Sequence, residues 1–235
     1  MGVLHLVRHG QASFLTDDYD RLSPRGEDQA RRLGEHWASL GLAFDAIYTG
    51  PRVRQRRTAE ITGEAVRRAG LSFPAAAPLD ALDEHHGGEL LAAHLPALVE
   101  ASPEAGVLVR AFHDAASERD RIKAADRLLR HALERWMLGL TGDAVEPFAA
   151  FRARVDAAVT SMRGGGARTI AAFTSGGTIG AIVGGVLRVD DRAALELGLV
   201  LHNASLTQLL FRDGKVSVAE LNAKPHLPHY LHTYR

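Results

Sequence analysis

The chain has 235 residues, 46% hydrophobic and 24% charged, a composition that suits a folded protein of one large domain or two small ones. Lys plus Arg and Asp plus Glu both number 28, so bulk charge draws the chain neither to nucleic acid nor to a membrane surface. Cysteine is absent, which excludes disulfides, thiolate nucleophiles and thiolate metal sites.

The sequence opens directly into a short apolar run, residues 3–7, read as a buried strand. No basic-then-apolar leader precedes it, and no run of about 18 uncharged apolar residues follows. The expectation is therefore a cytoplasmic enzyme without a membrane partner. "LSPRGEDQARRLGEHWASLG" reads as a helix. Ser23 caps it, Pro24 takes the first helical position and Gly41 ends it. Ala30, Leu33, Trp37 and Leu40 form its apolar face. "FDAIYTG" is a second strand and "RQRRTAEITGEAVRRAG" a second helix, stopped by Gly70. From about 78 to 147 alanine, leucine and histidine dominate, and this stretch reads as a mostly helical insertion. "PFAAFRARVDAAVTSM" is a further helix, "ARTIAAFTS" a strand and "GGTIGAIVGGVLRV" a helix. "SLTQLLFRDGKVSVAEL" is a hairpin turning at Asp213 and Gly214. The tail has no evident period.

Strands alternating with helices at both ends predict a three-layer α/β/α sandwich with a mostly parallel sheet, one domain of 1–235 carrying the insertion. In such sheets ligands sit beyond the carboxyl ends of the strands. Two apolar strands end in polar turns, one in Arg8-His9-Gly10 and one in Thr174-Ser175-Gly176-Gly177. A guanidinium offers a fixed fork of donors to phosphoryl oxygens, and a neutral imidazole beside it can attack phosphorus. Taken alone, the triplet suits a surface turn as well. In "GPRVRQRRTAE" arginines stand at 52, 54, 56 and 57. A solvated basic helix start explains them, and so does an anion site at a helix N-terminus, with one or two side chains pointing inward.

"LVRHG", "LSPRGEDQA" and "GPRVRQRRTAE" together resemble the histidine phosphatase superfamily, also called phosphoglycerate-mutase-like. Its second block reads Ser-Pro-x-x-Arg-x-x-x-Thr-Ala. Pro51, Arg54, Thr58 and Ala59 match, and Gly50 stands at the Ser. The resemblance implies that His9 is the nucleophile that becomes phosphohistidine and that Arg8 and Arg54 clamp the phosphoryl group. It implies that Glu84, in "ALDEHHGGE", is the general acid and then base, with Asp83 the next candidate. Gln11 and His202 are further candidate contacts. The run Asp83-Glu84-His85-His86 also suits metal ligands, but no matching ligand pair is evident elsewhere, and neither metal nor cofactor is expected.

One departure matters. Where the family has a histidine contacting the transferred group, this chain has Ser175, followed by Gly176. Serine can cap the helix and donate one hydrogen bond, but it carries no charge. His202, His85 and His86 are possible substitutes. "RHGQASF" early and "SGG" late resemble a bacterial branch of phosphatases in the same superfamily.

The reading that follows is a cofactor-independent phosphomonoester hydrolase acting on a small phosphorylated substrate, with a homodimer compatible. A phosphoglycerate-type mutase and a catalytically weakened phosphoester-binding protein are the alternatives. A serine hydrolase is remote, because Phe173 breaks the Gly-x-Ser-x-Gly pattern. The glycines of "GGTIGAIVGG" lack dinucleotide spacing. If Ser175 is only a weakened histidine, Ser175→His raises activity. If the pocket is rebuilt around serine, it does not.

Overall fold

The computed structural model describes residues 1–12, 20–140 and 145–234. Ser13 and Phe14 of "RHGQASF" lie outside them. The chain divides into two compact units, one of Met1–Glu84 with Arg154–Arg235 and one of His85–Ala153. Residues 78–84, which the sequence pattern assigns to the insertion, belong to the first unit.

The first unit is built on a six-stranded sheet of β1 (Gly2–Arg8), β2 (Ala46–Thr49), β3 (Ala76–Pro78), β4 (Thr169–Thr174), β5 (Leu206–Arg212) and β6 (Lys215–Ala223). The order is β3-β2-β4-β1-β5-β6. The first four run parallel, and β5 and β6 pair antiparallel at the β1 edge. β1 and β4 are buried almost end to end, as strands covered on both faces must be. Asp213 and Gly214 both take positive φ, 50° and 79°, the two-residue turn whose twist matches a hairpin.

Alternation along β1 sorts the two faces. His5 and Val7 turn toward α1 (Pro24–Ser39) and α2 (Val53–Arg68), where Trp37, Phe44, Phe73, Val66 and Phe173 form the core. Leu4 and Leu6, fully buried, turn to the opposite face. There α7 (Gly176–Leu187) packs on β1 and β6, and α8 (Asp191–Val200) packs on α7. Ser23 caps α1 by accepting from the Gly26 amide, with Pro24 in the first turn. The helix stops one residue short of Leu40, which is 59% exposed and leaves the predicted apolar face. The cause is backbone, since Gly41 takes φ 62° and turns the chain away. The strand β3 and the helix α8 carry no periodic signal long enough to be read from sequence.

The second unit is helical, with α3 (Gly87–Ala101), α4 (Pro103–His113), α5 (Glu118–Met137) and the start of α6 (Phe148–Gly164). Ser102 and Ser117 cap α4 and α5. Its aromatic centre joins Trp136 to Phe148 and Phe151, with ring centroids 5.0 and 5.3 Å apart. Among the described residues no helix is long and apolar enough to cross a membrane.

His5 is the polar exception in the strand core. It is 5% exposed, edge-on to Trp37 and Phe44, and its Nδ1 has no partner among the described residues. Burial lowers its pKa to about 4. Below its ordinary value of 6.5 the unfolded chain takes up a proton that the native chain refuses. Its contribution is therefore intact above pH 6.5 and is lost as pH falls toward 4, at most about 3 kcal/mol. His5→Phe should flatten the fall in melting temperature over this window. An unchanged slope in calorimetry would place the acid sensitivity elsewhere.

Candidate active site

The site forms where three parallel strands end together. His9 follows β1, Gly50 follows β2 and Ser175 follows β4. The His9 amide donates to Thr174 O at 2.9 Å, and the Gly50 amide donates to Phe173 O at 3.0 Å. The turns are thus tied together by the last rungs of the sheet. Gly10 is required by close approach, since a Cβ there would run into the Gly26 backbone at the start of α1. Its amide donates to Thr58 Oγ1 at 3.0 Å, and that hydroxyl donates to Arg54 O at 2.7 Å. Thr58 therefore locks the His9 turn to α2.

His9 is 5% exposed. Its Nδ1 stands 2.7 Å from the Gly10 carbonyl oxygen. A carbonyl only accepts, so Nδ1 carries the hydrogen and Nε2 keeps its lone pair. Arg54 Nε donates to Nε2 at 3.1 Å. Burial pulls the His9 pKa well below 6.5, and the charges of Arg54 and then Arg8 add to this against the Gly10 hydrogen bond. The imidazole is held neutral, in one tautomer, with its basic nitrogen beside a guanidinium.

Of the four clustered arginines, Arg54 points inward and is 6% exposed. Arg56 and Arg57 are solvent-side, bonded to Pro51 O and Glu60. Arg52 Nε binds Asp83 Oδ1 at 2.6 Å. Asp20 faces Arg54, with Oδ1 2.7 Å from NH1, and its Oδ2 accepts from the Val53 amide at 2.8 Å. A carboxylate thus sits at the positive end of α2, where anions are favoured. Arg8 donates through NH1 to Leu201 O.

Glu84 reaches the start of α7, where its Oε2 accepts from the Gly177 amide at 3.1 Å. Asp83, the competing acid, is a brace. Its carboxylate accepts from Arg52 and from the Glu84 amide at 2.8 Å. The 81–84 loop is fixed from below by Thr174 Oγ1 to Leu82 O (2.6 Å), Thr178 Oγ1 to Asp83 O (2.7 Å) and Arg154 NH1 to Asp83 O (2.8 Å). Thr174 opens the polar turn singled out in the sequence, whereas Thr178 and Arg154 have no such signal.

Gln11 lies beside the α1 cap, accepting from Ser23 Oγ at 3.0 Å. His202 is 8% exposed, its ring tilted against Tyr234 with centroids 4.0 Å apart, and its Nδ1 meets Asn222 Oδ1 at 3.3 Å. Burial foremost, then the Lys224 charge, lowers its pKa. His85 and His86 belong to the second unit. The unperiodic tail is anchored: Gln29 Nε2 donates to Leu231 O at 2.7 Å and to Thr233 Oγ1 at 2.9 Å. Ser175 meets Gln55, a residue the sequence patterns do not single out. Its only signal is its place in the first turn of α2, one residue after Arg54.

A family profile described as the histidine phosphatase superfamily (branch 1) matches residues 4–114 and 115–224. The chain is 36% identical over 97 residues to a 2,3-bisphosphoglycerate-dependent phosphoglycerate mutase of Thermobifida fusca, a match covering 38% of each chain. It is 43% identical over 63 residues to a 2-carboxy-D-arabinitol-1-phosphatase of Triticum aestivum, covering 24% of this chain and 12% of that one. The chain thus spans under half the length of these two relatives. It shares its fold with a phosphoserine phosphatase mutant of Entamoeba histolytica in complex with phosphoserine. That likeness has a TM-score of 0.62 at 17% identity and covers 97% of this chain and 100% of the other.

Proposed function

Because the chain belongs to the histidine phosphatase superfamily, we propose that it hydrolyses small phosphomonoesters through a phosphohistidine on His9. The observation that carries this is the state of His9: neutral, hydrogen on Nδ1, lone pair on Nε2, and Arg54 beside that lone pair. Arg8, Arg54, Ser175 and the Gly176 turn at the head of α7 bind the phosphoryl oxygens.

The chemistry takes two steps. His9 Nε2 attacks phosphorus in line, forming the P–N bond as the P–O bond to the alcohol breaks. Glu84 gives its proton to the leaving oxygen. Water then attacks phosphorus, Glu84 takes a proton from it, and the P–N bond breaks to return neutral His9 and inorganic phosphate. The guanidiniums neutralise the phosphoryl oxygens in both steps.

The test is hydrolysis of an aryl phosphate without added metal or bisphosphate, from pH 8 to pH 5. Turnover should persist, without the loss at pH 6.5 that an ordinary histidine nucleophile would show, because burial and arginine charge keep His9 unprotonated there. No turnover at any pH would contradict the reading. Similarity to a phosphoglycerate mutase favours the second reading, a phosphomutase. A strict requirement for a bisphosphate primer would select it.

A further inference from the structure

Gly50 and Ser175, the two departures from the family pattern, meet through one side chain. Gln55 is fully buried in the first turn of α2. Its Oε1 accepts from the Arg52 amide at 3.0 Å, and its Nε2 donates to Ser175 Oγ at 2.8 Å. A backbone N–H can only donate, so the amide oxygen must lie at the Arg52 end and the NH₂ must face Ser175. A Cβ on Gly50 would collide with Gln55 Oε1 and stand 2.8 Å from Leu82 O. Glycine at 50 is therefore what gives Gln55 its place.

The direction of the Gln55–Ser175 bond has a consequence. Ser175 Oγ accepts, which leaves its hydroxyl hydrogen to be used elsewhere. Ser175 is fully buried, yet among the described residues that hydrogen meets no acceptor. Buried donors are almost always satisfied. The unspent one stands between Thr174, whose carbonyl binds the His9 amide, and Gly176, where a Cβ would be 3.5 Å from Arg8 Nε.

We propose that Gln55 is a positioning residue that, by donating to Ser175 Oγ, aims the Ser175 hydroxyl as a hydrogen-bond donor at the transferred phosphoryl group. This rests on the phosphohistidine reading above. Gly50, Gln55 and Ser175 form one device, a pocket rebuilt around a neutral donor.

The test compares wild type, Ser175→Ala, Gln55→Glu and the double variant for kcat/KM on an aryl phosphate. A carboxylate at 55 still accepts from the Arg52 amide but cannot donate to Ser175, so the hydroxyl turns toward it and away from phosphorus. Each single variant should lose about 10²-fold, as on removal of one transition-state donor. The double variant should fall no more than a few-fold below Ser175→Ala. The Gln55→Glu loss should shrink from pH 8 to pH 5, as the introduced carboxyl gains a proton and can donate again. Independent losses that multiply to about 10⁴-fold, or an active Ser175→Ala, overturn the proposal and leave the phosphohistidine reading intact. Melting temperatures report folding, and Gln55→Met replaces Gln55→Glu if the latter fails to fold. An inactive wild type strikes the phosphohistidine reading instead. Calorimetry with inorganic phosphate then decides: matched weakening in both single variants supports the positioning role, and unchanged binding overturns it.

Discussion

Replacing His9 by alanine is expected to lower aryl phosphate hydrolysis by at least about 10⁴-fold, to background, while the melting temperature stays near that of the wild type. The size follows from the role. On this reading Arg8, Arg54 and Ser175 can still hold the phosphoryl group, but the neutral nitrogen that stands beside Arg54 is gone. The imidazole is oriented by the Gly10 carbonyl at 2.7 Å, and the Arg54 Nε–H that occupies the Nε2 lone pair at 3.1 Å has to turn to the phosphoryl oxygens before attack. A His9→Ala protein that keeps a tenth of the activity would show that water attacks the ester directly.

Arg54→Ala is expected to cost about 10³-fold in kcat/KM, and Arg54→Lys about 10²-fold. Lysine restores the charge but not the planar fork, so it can meet one phosphoryl oxygen rather than two. The effect should be confined to Arg54. Arg56→Ala and Arg57→Ala, solvent-side and bonded to Pro51 O and Glu60, should stay within a few-fold of wild type. Equal losses at all three positions would mean a diffuse basic surface. Steady-state kinetics on the four proteins decide the matter.

The Arg8-His9-Gly10 turn was legible because its parts are local. An apolar strand must end somewhere, and a cation, an imidazole and a glycine at that end suit a surface turn as well as an anion site, so it was the ordered set of motifs that gave the triplet its meaning. Helix geometry allowed one or two of the four clustered arginines to face inward, and the family resemblance singled out Arg54 among them. The surroundings of Asp83 and Glu84 were not legible. Asp83 meets Arg52 and Glu84 meets the Gly177 amide, both distant in sequence, on a loop held by Thr174, Thr178 and Arg154. Gln55 was hidden for a stronger reason. A glutamine in an arginine-rich helix start is ordinary, and its meaning comes only from the Gly50 and Ser175 turns that the sheet brings beside it. Leu40 was misread because helix period says nothing about the residue at which the backbone leaves the helix. The alternation of strands and helices predicted the sheet and its mainly parallel order, and the Asp213-Gly214 turn predicted the hairpin. It could not mark β3, three exposed residues paired to β2.

The most direct test of the phosphohistidine reading is rapid quench of the protein with a ³²P-labelled phosphomonoester, followed by mapping of the labelled residue. The account predicts a label that is stable in base, labile in acid, located on His9 and absent from His9→Ala. Turnover without any trapped label, or an acid-stable label on Ser175, would contradict it.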